Sequence, residues 1–328
     1  MRKIIIGFVF SAVFATTDFP AYAQQPIKVA HIGYLTISPF SSNKDRFEAF
    51  RQGLRELGYT EGKNIFIEWR SGEGKEDRAA SLVSELVGLK VALIVTGGSG
   101  ATRLAKDATK TIPIVMAMDN DPVGNGFVAS LARPGGNITG LSTVAPELSG
   151  KRLELLKEIL PKLSRVAVFG SSNNPGNTQA VREIELAATV LGIKIQYLDV
   201  LSPKDIEPAF RAATTERADA VLMMVSNPIA GSSRKAIAEL ATKSRLPAIY
   251  NRREIVEAGG LMTYGVSLTD LDRRTATYVD KILKGTKPAD LPVEQPTKFE
   301  LIMNLNSAKQ IGLTIPPNVL ARADRVIK

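Results

Sequence analysis

Residues 91–118 read VALIVTGGSGATRLAKDATKTIPIVMAM and contain one complete structural unit. VALIVT is a short apolar run rich in β-branched side chains, the pattern of a buried strand. Gly97-Gly98-Ser99-Gly100 breaks it, a helix carries the chain to about Thr109, and residues 112–118 form a second buried strand. Strand, glycine-rich turn, helix and strand make a βαβ unit, whose strands run parallel with the helix laid across them.

The same alternation extends in both directions. Upstream, residues 27–35 (IKVAHIGYL) are a strand that ends in a Ser/Pro-rich turn. A helix follows with Phe47, Phe50, Leu54 and Leu57 at spacings of three and four, stopped by Gly58. Residues 65–69 are a strand and 79–87 a helix. Downstream, Asp121-Pro122 predicts a helix start, Asp as cap and Pro in the first turn, and 138–142 a strand. The second half repeats the rhythm, with helices at 148–160, 178–191, 232–243 and 270–283. Its strands are expected at 165–169, 193–199, 220–225, 248–250 and 261–264. A chain of 328 residues exceeds the ~250–300 at which single cores stop growing. Two runs of this kind mean an α/β protein of two Rossmann-like lobes, each a parallel sheet flanked by helices.

Composition removes many functions. There is no cysteine, so disulfides, Cys-ligated metals and a cysteine nucleophile are absent, and His31 is the single histidine. His31 falls mid-strand, where it reads as a packed structural residue. Gly98-Ser99-Gly100 lacks the later glycine of a dinucleotide fingerprint, and neither a P-loop nor a Gly-x-Ser-x-Gly elbow occurs. The net charge of +9 is dispersed, with acidic residues interleaved, which gives a mixed-charge surface rather than a nucleic-acid face.

Met1-Arg2-Lys3, the apolar run 4–15 and Ala21-Tyr22-Ala23 have the three parts of a secretory signal peptide over 1–23. The run is shorter than the ~20 residues a membrane span requires. The expectation is a periplasmic protein starting near Gln24.

Ligands of open α/β sheets bind beyond the C-terminal ends of the strands. The loops there supply Tyr34, Ser38 and Phe40, then Gly98 and Ser99, then Asp119, in the first half. The second half supplies Ser171, Ser172, Asn173, Ser226, Asn227, Tyr250, Glu254 and Tyr264. Hydroxyls, amides and helix N-termini suit a small carboxylate, while catalytic bases and nucleophiles are scarce. The plainer reading of each Ser or Asn is a helix cap. Asp119 or Glu254 would accept from a ligand ammonium, the tyrosines and Phe40 would flank an apolar part, and Trp69 reads as packing away from the cleft.

Longer stretches carry a family resemblance. They are IGYL at Ile32, FRQGLRELGYTEGKNIFIEWR at 50–70, the segment 109–142 with DPVGNGFVASLARPGGNITG, LPAIYNRREIVEAGGLMTYGVS at 246–267, and the tail 282–327. Together they resemble the substrate-binding proteins of ABC transporters in the group that includes tryptophan and tyrosine binders, with the type I periplasmic binding fold. The loop SSNNPGN at 171–177 departs from the pattern, and YGVSLTDLDRR lacks an aromatic residue that many relatives carry. Ligand identity therefore does not carry over.

The resemblance implies a hinge of three crossings, near Leu141, Val266 and Leu291. One lobe would hold 27–142 plus 266–290, the other 143–265 plus 291–328. It also implies a monomeric, non-enzymatic importer component without cofactor or metal, which closes on a small solute and hands it to a membrane permease. The expected solute is an amino acid or another small carboxylate, aromatic and apolar ones included. A sensor of the same fold serving a membrane signalling partner is the alternative, and a secreted hydrolase a more distant one.

Overall fold

The computed structural model describes residues 29–225, 227–296 and 298–328. The expected signal peptide and Ser226 lie outside them. The chain begins β1 (Ala30–Thr36), α1 (Lys44–Glu56), β2 (Ile65–Ser71), α2 (Glu76–Gly88), β3 (Ile94–Thr96), α3 (Ser99–Ala108), β4 (Ile114–Asp119) and β5 (Ile138–Ser142). It continues α4 (Ala145–Ile159), β6 (Arg165–Gly170), α5 (Asn177–Leu191), β7 (Lys194–Asp199), α6 (Ile206–Thr215), β8 (Ala220–Met223), α7 (Asn227–Lys243) and β9 (Ala248–Tyr250). Then come α8 (Arg253–Glu257), β10 (Met262–Gly265), α9 (Leu268–Leu283), β11 (Glu300–Asn304), α10 (Leu305–Gln310), α11 (Pro317–Leu320) and β12 (Arg325–Ile327).

The first sheet has the order β2-β1-β3-β4-β5 and is parallel throughout. The second has the order β12-β11-β10-β9-β8-β6-β7, parallel except where β11 meets β10. Each sheet is buried on both faces. Ile32 and Val95 pack toward α1 and α9, while Leu35, Ile94 and Met116 pack toward α2 and α3. His31 pairs with Glu68 of β2 at 3.0 Å, a structural contact on the outer part of the sheet.

The α1 stripe buries Phe47, Phe50 and Leu54, but Leu57 is the C-cap residue and 39% exposed, because the helix ends at Glu56. Its partner is α9, more than 200 residues away in sequence, whose Leu271, Ala276 and Val279 join the same core cluster. A Cβ on Gly53 would collide with the Arg273 carbonyl oxygen, so the two helices cross at backbone contact and only glycine fits.

The helix expected after Asp121-Pro122 does not form. Asp121 does act as a cap, accepting from the Gly124 N–H at 2.9 Å. Gly126 then takes φ +68°, and 122–127 stay a hydrogen-bonded turn. Leu291 and Val293 still pack in the first lobe's clusters, and Glu294 is hydrogen-bonded to Gly140 and Ser142 of β5. The chain therefore leaves the first sheet only beyond Glu294, and β11 joins the second.

Candidate functional site

A cavity of about 250 Å³ lies between the strand ends of the two sheets. That is near the small end of ligand sites, ~300–1,000 Å³. The first sheet contributes Thr36 at the end of β1 with Ile37 and Ser38 after it, and Gly97 to Ala101 after β3. The second contributes Asn173, Asn174 and Pro175 after β6, Leu201 after β7, and Pro228 and Ile229 in the first turn of α7.

The α3 end of the cavity is an open helix terminus. Gly98 is the N-cap, with no side-chain cap, at φ +151°, a conformation that favours glycine. The first helical bond runs from the Thr102 N–H to the Gly98 carbonyl at 3.0 Å. The N–H groups of Ser99, Gly100 and Ala101 therefore have no acceptor within the helix, and all three residues line the cavity. This is a positive site for a carboxylate.

Behind Ser99 sits Asp119, the last residue of β4, fully buried and off the cavity wall. Its Oδ1 accepts from the Asp121 N–H at 2.9 Å and Asn125 Nδ2 at 3.0 Å. Its Oδ2 is buried with no partner among the described residues. Burial pushes its pKa up to about 7, against the pull of Ser99, Asn125 and the Asp121 N–H. Asn120 ties the neighbourhood to the opposite lobe, its N–H donating to Ser99 Oγ at 3.2 Å and its Nδ2 to the Pro175 carbonyl at 3.3 Å.

Of the residues expected from sequence, the cavity wall brings together Ser38, Gly98, Ser99 and Asn173. Ser171 and Ser172 lie just off it and hold the loop. Ser171 Oγ donates to the Val200 carbonyl at 2.6 Å, and Ser172 donates to Asp199 through N–H and Oγ at 2.8 and 2.5 Å. Tyr34 and Tyr250 are corrections. Both are fully buried in lobe cores, since they lie within strands rather than beyond them. The Tyr34 hydroxyl donates to Asp272 at 2.8 Å. Tyr264 packs beside Phe299, ring centroids 6.0 Å apart, and its carbonyl accepts from Arg152 at 2.8 Å, away from the cavity. Phe40 stands edge-on to Phe47 at 5.5 Å and does not line the cavity. Glu254 is bound by Arg252 at 3.2 and 3.3 Å and is not available to a ligand ammonium. Asn227 opens α7.

Sequence reasoning missed the apolar wall of Ile37, Leu201 and Ile229. Leu201 carried a signal, an apolar residue just past a strand end, and it is 49% exposed. Trp69 packs at a tilt against Tyr34 and Phe47 with the Arg51 guanidinium 4.5 Å from its ring, in the first lobe and off the cavity. Among the described residues, no group of three or more His, Cys, Asp or Glu side chains could hold a metal ion.

A family model described as ABC transporter substrate binding protein matches residues 37–327. A tyrosine-binding protein of Clostridioides difficile (strain R20291) is 25% identical over 286 residues, 87% of this chain and 82% of that one. An ABC domain from Streptococcus pneumonia, solved in complex with L-Trp, superposes with a TM-score of 0.85 at 29% identity, covering 91% of this chain and 99% of that one. The ligand-free, open structure of a substrate binding protein with adhesive properties from Clostridium difficile gives 0.67 at 25% identity, over 92% and 100% of the two chains.

Proposed function

Because this chain belongs to the ABC transporter substrate-binding protein family, we propose that it captures an amino acid between its two lobes and delivers it, from the periplasm, to a membrane permease. The observation that carries the reading is the uncapped α3 N-terminus opening into an interlobe cavity of about 250 Å³. The ligand carboxylate docks on the N–H groups of Ser99, Gly100 and Ala101, which offset its loss of water. Asn173 and Asn174 close over it from the other lobe. Ile37, Leu201 and Ile229 cover the apolar part, so the side-chain pocket is aliphatic-walled rather than aromatic. Asp119 lies behind Ser99, buried and off the cavity wall, and makes no contact with the ligand; Glu76 is the carboxylate that lines the cavity.

Binding works as a population shift. A ligand touching both lobes does so only when they are closed, and it favours that state by its differential affinity. The higher similarity to the L-Trp complex than to the open, ligand-free relative supports a closed arrangement here. The hinge is the set of three crossings, with 30–142 plus 268–294 as one lobe and 145–265 plus 300–328 as the other. The cavity is lined by donors, an apolar wall and the charged residues Glu76 and Arg103, and we assign it no reaction.

Calorimetric titration with L-tryptophan and L-tyrosine tests the reading, using the protein and its N173A/N174A double variant. We expect binding of at least one amino acid, and a loss of ~10-fold or more in the variant, as removal of ~1.4 kcal/mol of contact requires. Unchanged affinity with an intact fold refutes this placement of the site.

A further inference from the structure

The cavity wall carries two charged residues, and both come from the first lobe. Glu76 is the first residue of α2, and Arg103 lies one turn into α3. The second lobe lines the cavity with uncharged residues only, Asn173, Asn174, Pro175, Leu201, Pro228 and Ile229. Both charged side chains are exposed, and among the described residues neither is hydrogen-bonded or ion-paired. The neighbouring carboxylates are engaged or withdrawn. Glu73 accepts from the Phe40 N–H at 3.2 Å and from Ser71 Oγ at 2.7 Å, and Asp119 is buried behind Ser99.

Topology sets the two charges beside one another. β2, β1 and β3 are adjacent parallel strands, so α2 and α3, which follow β2 and β3, both start at the strand ends that face the cavity. The two helices pack together on one face of the sheet. Ile37 joins their starts: its carbonyl accepts from the Gly74 N–H at 2.7 Å, and a Cβ on Gly100 would meet its Cδ1 at 2.7 Å. Packed helices lie ~8–10 Å apart axis to axis, a gap that a glutamate side chain and an amino-acid head group together span. Arg103 follows Gly100 and Ser99 by three and four residues, which puts it on their face of α3. Helical side chains lean toward the N-terminus, here toward the free N–H groups of that first turn.

We propose that Glu76 and Arg103 make the first lobe a clamp for the zwitterion of an α-amino acid: Glu76 takes the ammonium, and Arg103 joins the α3 N–H groups on the carboxylate. The uncharged wall of the second lobe closes over the rest of the ligand. Charge-assisted hydrogen bonds are roughly twice as strong as neutral ones. A ligand lacking one of the two charges leaves its partner unpaired in the shut cavity. The site thereby selects amino acids over plain carboxylates and plain amines. The inference rests on the reading that an amino acid occupies the cavity, and adds which of its groups each residue reads. The plainer role of Glu76 is to complement the α2 dipole, which predicts lower stability on its removal with affinity unchanged.

Calorimetry on the full protein separates the two roles. The probes are L-tryptophan, indolepropionate, which lacks the ammonium, and tryptamine, which lacks the carboxylate, together with L-tyrosine and its matching analogues. The parent should bind the better amino acid about tenfold or more tightly than either of its analogues. Glu76→Gln should weaken the amino acid about tenfold or more and leave its carboxylate analogue within about twofold. Arg103→Gln should weaken the amino acid and the carboxylate analogue alike and spare the amine. Asp77→Asn, the next acid of α2 and off the cavity wall, should match the parent. Parent affinity in E76Q or R103Q, with a native circular dichroism spectrum, overturns the proposal. So does an equal loss in E76Q on the amino acid and its carboxylate analogue, or a loss in D77N as large as in E76Q. The comparison of ligands on the parent needs no variant: equal affinity for the amino acid and its analogues overturns the clamp and leaves the amino-acid reading standing. If the parent binds neither amino acid, that reading falls and the clamp with it.

Discussion

Asp119→Asn should make the ligand-free protein more stable at neutral and alkaline pH, and the size of the effect follows from burial. Asp119 is fully buried, accepts two hydrogen bonds on Oδ1, and has no partner for Oδ2 among the described residues. Its pKa of about 7 stands against an ordinary value of 3.8. A folded-state pKa above the unfolded value means that the native protein holds this proton more tightly than the unfolded chain does. The resulting stability is fully present below pH ~4 and is lost as pH rises toward 7. Over about three pH units the loss amounts to about 4 kcal/mol. The substituted amide would keep an oxygen for the Asp121 N–H and Asn125 and carry no charge, so the variant's stability should stay flat over that window. Urea denaturation of both proteins at half-unit steps from pH 4.5 to 8.5 measures this. The curves should converge at the acid end and separate by a few kcal/mol above pH 7. Parallel curves would refute the reasoning, since they would mean that Asp119 ionises in the folded state as it does in water.

Gly53→Ala forces a methyl group into the Arg273 carbonyl and should destabilise by about 1–3 kcal/mol or more in thermal or urea denaturation. A variant as stable as the parent would mean that α1 and α9 do not cross at backbone contact. Trp69, the single tryptophan, is clamped by Tyr34, Phe47 and Arg51 off the cavity, so its emission should change little when tyrosine binds. A large quench would misplace either the residue or the site. A true ligand at ~100 times its dissociation constant should add about 2.7 kcal/mol of stability, visible as a raised Tm. No shift across the twenty amino acids would count against an amino-acid receptor.

Most of the fold was legible because both lobes are built from local βαβ units. An apolar run, a glycine turn and a 3.6-residue stripe all lie within about thirty residues of one another, as at 91–118. What local pattern could not place was the assignment of α9 and of 291–294 to the first lobe. Those contacts, Gly53 against Arg273 and Glu294 against Gly140, join segments more than 100 residues apart. Periodicity says that α9 is amphipathic, not which core it covers. The cavity was legible where it consists of backbone: Gly98-Ser99 announced the open start of α3 that lines it. It was misread where side-chain chemistry stood in for position. Tyr34 and Tyr250 look like ligand aromatics, yet both are packed in lobe cores, and the cavity begins only at Thr36, the last residue of β1. Glu254 looks like an ammonium acceptor until Arg252, two residues away, is seen to occupy it.

The central claim, that an amino acid is held by both lobes with its carboxylate on α3, is tested most directly by a crystal structure of the protein with its bound ligand. The prediction is a carboxylate within ~3 Å of the Ser99, Gly100 and Ala101 N–H groups, with the 173–175 loop in contact from the second lobe. A ligand seated outside this cavity, or touching one lobe only, would contradict it.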